Sequence, residues 1–161
     1  MTHHGDAQRP GETRLGALPA SQAGLVFVGV IRTPFVVRQD CPRQGDSEAG
    51  PDCRIELDPR FEPALDGLEA YPRIEVLYWL HKARRDLLTQ SPKGKHAIRG
   101  SFSLRSPLRP NPIGTSAVRL LRREGPVLIV RGLDCLDGTP LLDLKPLRCD
   151  YMVQAPPKDT P

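Results

Sequence analysis

The sequence predicts a mainly β single domain of short strands and many turns, arranged as a barrel or a sandwich. Three observations carry this. The 161 residues include 18 prolines and 14 glycines, a density of breakers that excludes a long-helix bundle. Several runs of strand length are β-branched or alternate in polarity, and turn signals separate them at short spacing. There is no internal repeat, no alternation of strands with helices and no GxGxxG loop, so a doubly wound nucleotide-binding fold is not indicated.

Taken in order, residues 1–22 are polar and aperiodic and read as a mobile leader, with His3 and His4 inside it. The domain proper runs from 23 to 153. Leu25 to Arg32 (LVFVGVIR) is a β-branched strand stopped by Pro34. Arg54 to Leu57 (RIEL) alternates and is closed by Asp58-Pro59. Pro63 to Ala70 (PALDGLEA) reads as one or two helical turns with proline first. Arg73 to Leu80 (RIEVLYWL) is apolar enough for a buried strand or a short helix; its bracketing by Pro72 and Lys82-Ala83-Arg84-Arg85 favours strand. Ser116 to Arg122 and Val127 to Leu133 form a hairpin about Glu124-Gly125, and a turn at Asp137-Gly138 leads into Leu141 to Leu144. The tail, 154–161, carries Pro156, Pro157 and Pro161 and reads as irregular.

The charge balance narrows the partners. A net charge of +4 and a pI near 9.1 suit a polyanion such as RNA. Arginine dominates the basic set, and its planar fork grips phosphates and carboxylates. Cys41, Cys53, Cys135 and Cys149 form no CxxC pair and lie outside ligand spacing of any histidine, so no metal site is expected. No apolar run precedes Leu25 and no stretch reaches membrane-span length. A cytoplasmic protein with reduced thiols is the simplest expectation.

Four segments look chemical. In Arg105 to Gly114 (RSPLRPNPIG), Pro107, Pro110 and Pro112 fix φ and hold their predecessors extended. Such a loop could present Arg105, Arg109 and Asn111 to a ligand at little ordering cost, or be a rigid connection with solvated arginines. In Leu133 to Pro146, Asp134, Asp137 and Asp143 surround a tight-turn signal at Asp137-Gly138. They could take ribose hydroxyls or lie near a sulfonium, or hold a metal, or simply mark a hairpin. Cys41-Pro-Arg-Gln-Gly45 is a turn carrying a guanidinium and an amide, without a readable His and Asp to make Cys41 a nucleophile. His81-Lys82 ends the apolar run, where a lone histidine is more often structural.

In their order these segments resemble the TsaA/YaeB-like (TrmO-type) family of tRNA methyltransferases. The matching blocks are Val28 to Pro34 (VGVIRTP), Cys41 to Gln44 (CPRQ), Gly67 to Ala70 (GLEA) running into the strand ending at His81, RSPLRPNPIG and LDGTP. The match spans roughly residues 25–153. It implies a closed antiparallel β-barrel with short helical turns, a homodimer, and S-adenosylmethionine bound with help from the neighbouring subunit. It further implies methylation of the exocyclic nitrogen of threonylcarbamoyl-adenosine in tRNA. Carried over block by block, the resemblance assigns cofactor contacts to Pro42, Arg43, Gln44, His81, Lys82, Arg105, Thr115, Leu136, Asp137, Gly138 and Thr139. Arg109 and Asn111 are expected to face the substrate and Asp137 to orient the cofactor; these three are the catalytic candidates. No metal and no membrane partner are implied. The family's longer members carry a C-terminal domain that this sequence ends before, Leu147 stands where an aromatic is usual, and Gln90 to Ile98 is a shortened loop. These departures bear on the substrate. They keep open a non-catalytic S-adenosylmethionine-binding module and a methyltransferase for a small molecule or protein.

Overall fold

In the computed structural model, residues 8–92 and 97–147 are described. The expectations for His3, His4, Cys149 and the tail from 154 lie outside them. Among the described residues eight strands follow one another: β1 (Gly29–Arg32), β2 (Asp52–Leu57), β3 (Arg73–Trp79), β4 (Thr89–Gln90), β5 (Arg99–Gly100), β6 (Ile113–Glu124), β7 (Val127–Arg131) and β8 (Thr139–Pro146). Six of them close into an antiparallel barrel in the order β1-β2-β7-β6-β3-β8, while β4 and β5 pair separately. Closure leaves no free edge on the main sheet.

Side-chain alternation explains the barrel. Along β3, Ile74, Val76 and Tyr78 are buried while Arg73, Glu75, Leu77 and Trp79 are not, a period of two that points every second residue inward. The same rule places Cys53, Ile55 and Leu57 of β2, Val118 of β6, Leu128 and Val130 of β7, and Leu141 of β8 in one apolar cluster. The segment 73–80 is therefore a strand, paired with β6 from Arg73↔Arg119 to Trp79↔Ile113. Register shifts between Leu120 and Arg122 and between Leu77 and Tyr78 bend the sheet where a barrel must curve.

Three sequence expectations are corrected. The strand expected over 25–32 begins only at Gly29, which pairs with Leu57, the last residue of β2. Asp58-Pro59 then turns away, and Leu25, Val26 and Phe27 pair with no strand among the described residues and stay exposed. The helical turns begin earlier than expected: a 3-10 segment runs Pro59–Leu65, with Asp58 accepting from Arg60 N at its start. A second runs Leu68–Ala70 after Gly67, whose φ of 80° suits glycine. The Asp137-Gly138 turn is not a hairpin, because β8 pairs with β1 and β3 rather than with β7.

Part of the stretch read as a leader is packed. Arg14 bridges to Leu87, Leu15 N donates to Asp86 O and Leu88 N to Thr13 O. Glu12, 8% exposed, accepts from Ser91 N at 2.8 Å and from Arg9 N at 2.8 Å. Hydrogen bonding rather than apolar content holds this strap, which is why hydropathy does not reveal it.

Antiparallel order puts three connections at one mouth of the barrel: 33–51 after β1, 80–112 after β3, and 132–138 after β7. The opposite mouth carries 58–72 and the short β6–β7 turn. No helix among the described residues is long and apolar enough to cross a membrane.

Candidate functional site

The three connections enclose a cavity of about 470 Å³ at that mouth, within the usual range for a small-molecule site. Arg38, Cys41, Pro42 and Arg43 come from the first; Leu80, His81, Lys82, Arg105, Ser106, Pro107 and Arg109 from the second; Asp134, Cys135 and Leu136 from the third. Ala83 of the second connection, with Tyr78, Ile113, Gly114, Thr115 and Thr139 at the strand ends, completes it. Arg38, Arg43, Lys82, Arg105 and Arg109 give five basic side chains, against which Asp134 is the one carboxylate among the described lining residues. A site so charged suits anionic groups, and Leu80, Ile113, Leu136 and the two prolines supply apolar surface for a flat ring.

The Pro-rich segment is rigid for more reasons than its prolines. The Arg109 guanidinium donates to Leu104 O (3.2 Å), Ser106 O (3.3 Å) and Ser101 O (3.4 Å), turning back to brace its own loop. Gln90, buried, donates to Leu108 O (2.6 Å) and Ser101 Oγ (2.9 Å). Arg105 differs: it is exposed and makes one long contact, 3.4 Å, to Thr115 O. Of the two arginines, Arg109 builds the loop and Arg105 remains available to a ligand.

Gly114 is required where it stands. It faces Tyr78 in register, and a Cβ there would collide with the Tyr78 ring. The first connection is fixed by a second close approach, since a Cβ on Gly45 would run into the backbone of Gly132. Both glycines hold backbone against its neighbour, which no larger residue permits.

At the cavity floor Tyr78, 3% exposed, donates to Asp134 Oδ1 at 2.7 Å. Ser116 Oγ donates to the same oxygen at 3.1 Å, and the two hydroxyls lie 2.9 Å apart. Burial, reinforced by the Asp134 carboxylate, holds the Tyr78 phenol far above its ordinary pKa, so it stays protonated and a donor. Burial likewise pushes the Cys135 thiol up to about 12. Cys41 is raised by burial first and then by Asp134 and Asp40, the opposite of an activated nucleophile. His81 is lowered by burial and by Lys82, although the Trp79 backbone opposes this.

Of the residues singled out from sequence, Pro42, Arg43, His81, Lys82, Arg105, Arg109, Thr115, Leu136 and Thr139 line the cavity. Gln44, Asn111, Asp137 and Gly138 do not. Asn111 is exposed and accepts from Arg85 at 3.5 Å. Asp137 accepts from Thr33 N at 3.1 Å and faces Arg32 at 3.8 Å, while its own N–H donates to Phe35 O. It ties the third connection to the first. Asp143 pairs with Lys145 at 2.6 Å, so the three aspartates do not converge. No metal-ligating group of three or more side chains occurs among the described residues. Sequence reasoning missed Arg38 and Tyr78. The strand period that buries Tyr78 was readable, but its hydroxyl partners lie 38 and 56 residues away.

Residues 30–151 match the family described as the tRNA-methyltransferase O N-terminal domain. The "Probable S-adenosyl-L-methionine-binding protein VirR" of Rhizobium radiobacter is 52% identical over 145 residues, covering 90% of this chain and 82% of that protein. A mouse tRNA (adenine(37)-N6)-methyltransferase is 34% identical over 143 residues, covering 83% of this chain and 33% of the enzyme. The crystal structure of TrmO from Pseudomonas aeruginosa superposes with a TM-score of 0.67 at 33% identity, over 84% of this chain and 61% of that one. The chain thus spans about three-fifths of the TrmO structure and a third of the mouse enzyme.

Proposed function

The chain belongs to the tRNA-methyltransferase O N-terminal domain family, and from that premise we propose that it is an S-adenosylmethionine-dependent tRNA methyltransferase whose site is the cavity at the barrel mouth. The observation that carries this is the pairing of five cationic side chains with apolar walls around one carboxylate, among the described residues, in about 470 Å³. The donor set fits the cofactor: a guanidinium can hold the methionyl carboxylate, and Leu80, Ile113 and Leu136 offer surface to the adenine. When bound, the cofactor supplies a methyl group already activated on a sulfonium, so the protein's work is alignment. Arg105 and Lys82 hold anionic groups at the rim. Arg109, Gln90 and the three prolines keep that rim from moving, and Cys135 and Leu136 close the floor. Pro42 and Arg43 of the first connection belong to the same proposed cofactor site, and Asp137 supports it by tying the third connection to the first.

The acceptor we propose is the exocyclic nitrogen of threonylcarbamoyl-adenosine in tRNA, acted on in the cytoplasm. The named substrate of the mouse relative supports an adenine N6 in tRNA, and the basic mouth suits an anticodon loop whose phosphates must approach. A homodimer is part of the same proposal, since Phe102 at 82% exposure and Ile113 at 41% offer apolar surface to a second copy. Radiolabelled methyl transfer to total tRNA from a strain lacking the modification tests the activity, and light scattering tests the dimer. A second reading has one specific support, the 52% identical relative being named for binding the cofactor. Cofactor binding without transfer to any tRNA would favour that binding module.

A further inference from the structure

A basic cavity must still dispose of a proton, and one group in it is suited to that. A neutral exocyclic nitrogen that accepts a methyl group carries an N–H it must shed, and arginine and lysine, already protonated at neutral pH, cannot take it. His81 could, but it sits beside Lys82 and is exposed at the rim. Asp134 is the one carboxylate among the described lining residues. Both of its recorded hydrogen bonds, from Tyr78 and Ser116, fall on Oδ1. These two donors fix the carboxylate plane and leave Oδ2 as the oxygen without a recorded protein donor.

We propose that Asp134 is the general base of methyl transfer, accepting the acceptor nitrogen's proton on Oδ2, with Tyr78 and Ser116 as its positioning residues. This rests on the methyltransferase reading above. As the nitrogen's electron pair forms the N–C bond, the C–S bond electrons return to sulfur, leaving a neutral thioether. The N–H proton passes to Asp134 Oδ2, so charge and atoms balance. The arrangement suits a base whose lone pair must be aimed. Tyr78 is buried and cannot swing away, Gly114 leaves its ring room, and Ser116 shares the same oxygen. An unanchored aspartate would turn either oxygen toward the nearest guanidinium.

Asp134→Asn retains an oxygen for both donors and removes the basic one. With S-adenosylmethionine, calorimetry should give wild-type affinity to within about threefold. Single-turnover transfer to unmodified tRNA at saturating cofactor should fall about a hundredfold. A fall of less than about tenfold, or a cofactor affinity weakened tenfold or more, overturns the assignment; the latter makes Asp134 a cofactor anchor. Tyr78→Phe is the companion if the first variant does not fold. It keeps the ring and the carboxylate, and should lower kcat severalfold with KM for tRNA and cofactor affinity unchanged. A raised KM with kcat intact overturns the positioning role. Wild-type protein that binds the cofactor yet methylates no tRNA removes the underlying reading, and the general base with it.

Discussion

Replacing Gly114 by alanine should damage the cavity floor out of proportion to the one methyl group added. The new Cβ would collide with the Tyr78 ring, with Cδ2 and Cζ at 2.7 Å. That ring is 3% exposed, its hydroxyl is bonded to Asp134 at 2.7 Å, and its strand is paired on both sides. Forcing a methyl into such packing costs about 1–3 kcal/mol. If the ring yields, its hydroxyl also loses a bond to a charged acceptor, a further loss of about 1.5–3 kcal/mol. Partial relaxation brings the total to about 2–5 kcal/mol, a fall in Tm of roughly 4–20 °C for a chain of this size. Thermal unfolding by circular dichroism measures it, and urea titration gives the free energy directly. The decisive control is the Tyr78→Leu background, where the ring is absent and the cost of Gly114→Ala should shrink by more than half. A loss below about 1 kcal/mol in the wild-type background, or an equal loss in both, refutes the collision as its cause.

The two arginines of the Pro-rich loop should separate cleanly. Arg105→Ala should weaken S-adenosylmethionine binding about tenfold in calorimetry with stability changed by less than about 0.5 kcal/mol, since its single contact is 3.4 Å long. Arg109→Ala should behave in the opposite sense, losing about 1–3 kcal/mol of stability in denaturant because three carbonyls lose their donor. Thiol chemistry gives a test by pH. Burial raises Cys53 to about 11 and Cys135 to about 12. A raised thiol pKa means less thiolate, so iodoacetamide at neutral pH should leave both unmodified in mass spectra of the folded protein and label them once urea unfolds it.

How much of this was legible depends on the range of the interaction. Val127–Arg131, Asp52–Leu57 and the hairpin about Glu124-Gly125 follow from local alternation and turn chemistry, and the structure has them within a few residues of expectation. The Pro-rich loop was also visible, because φ restriction is written in the residues themselves. Its division of labour was not: Arg105 and Arg109 are alike in sequence, and only the folded loop shows which guanidinium turns back on its own carbonyls. The strap at Glu12 was invisible for a related reason. Its partner Ser91 lies 79 residues away and the contact is polar, so no apolar pattern marks it. Asp134 and Asp137 were both noticed from sequence. Choosing between them needed the barrel, which aims one at the cavity and spends the other tying β1's exit to the turn before β8.

Because the three connections that line the cavity all leave from one mouth, the molecule has a working end and an idle one. At the idle end β6 and β7 meet through a tight turn in which Gly125 has φ of 60°, and Pro126 O accepts from Leu57 N. The full length of β6 separates that turn from the cavity. It is the natural splice point of the fold, where a reporter, an affinity handle or a whole added module could be inserted without rewiring the chemistry. Grafting work on this scaffold should begin there, leaving the three mouth connections to be exchanged one at a time.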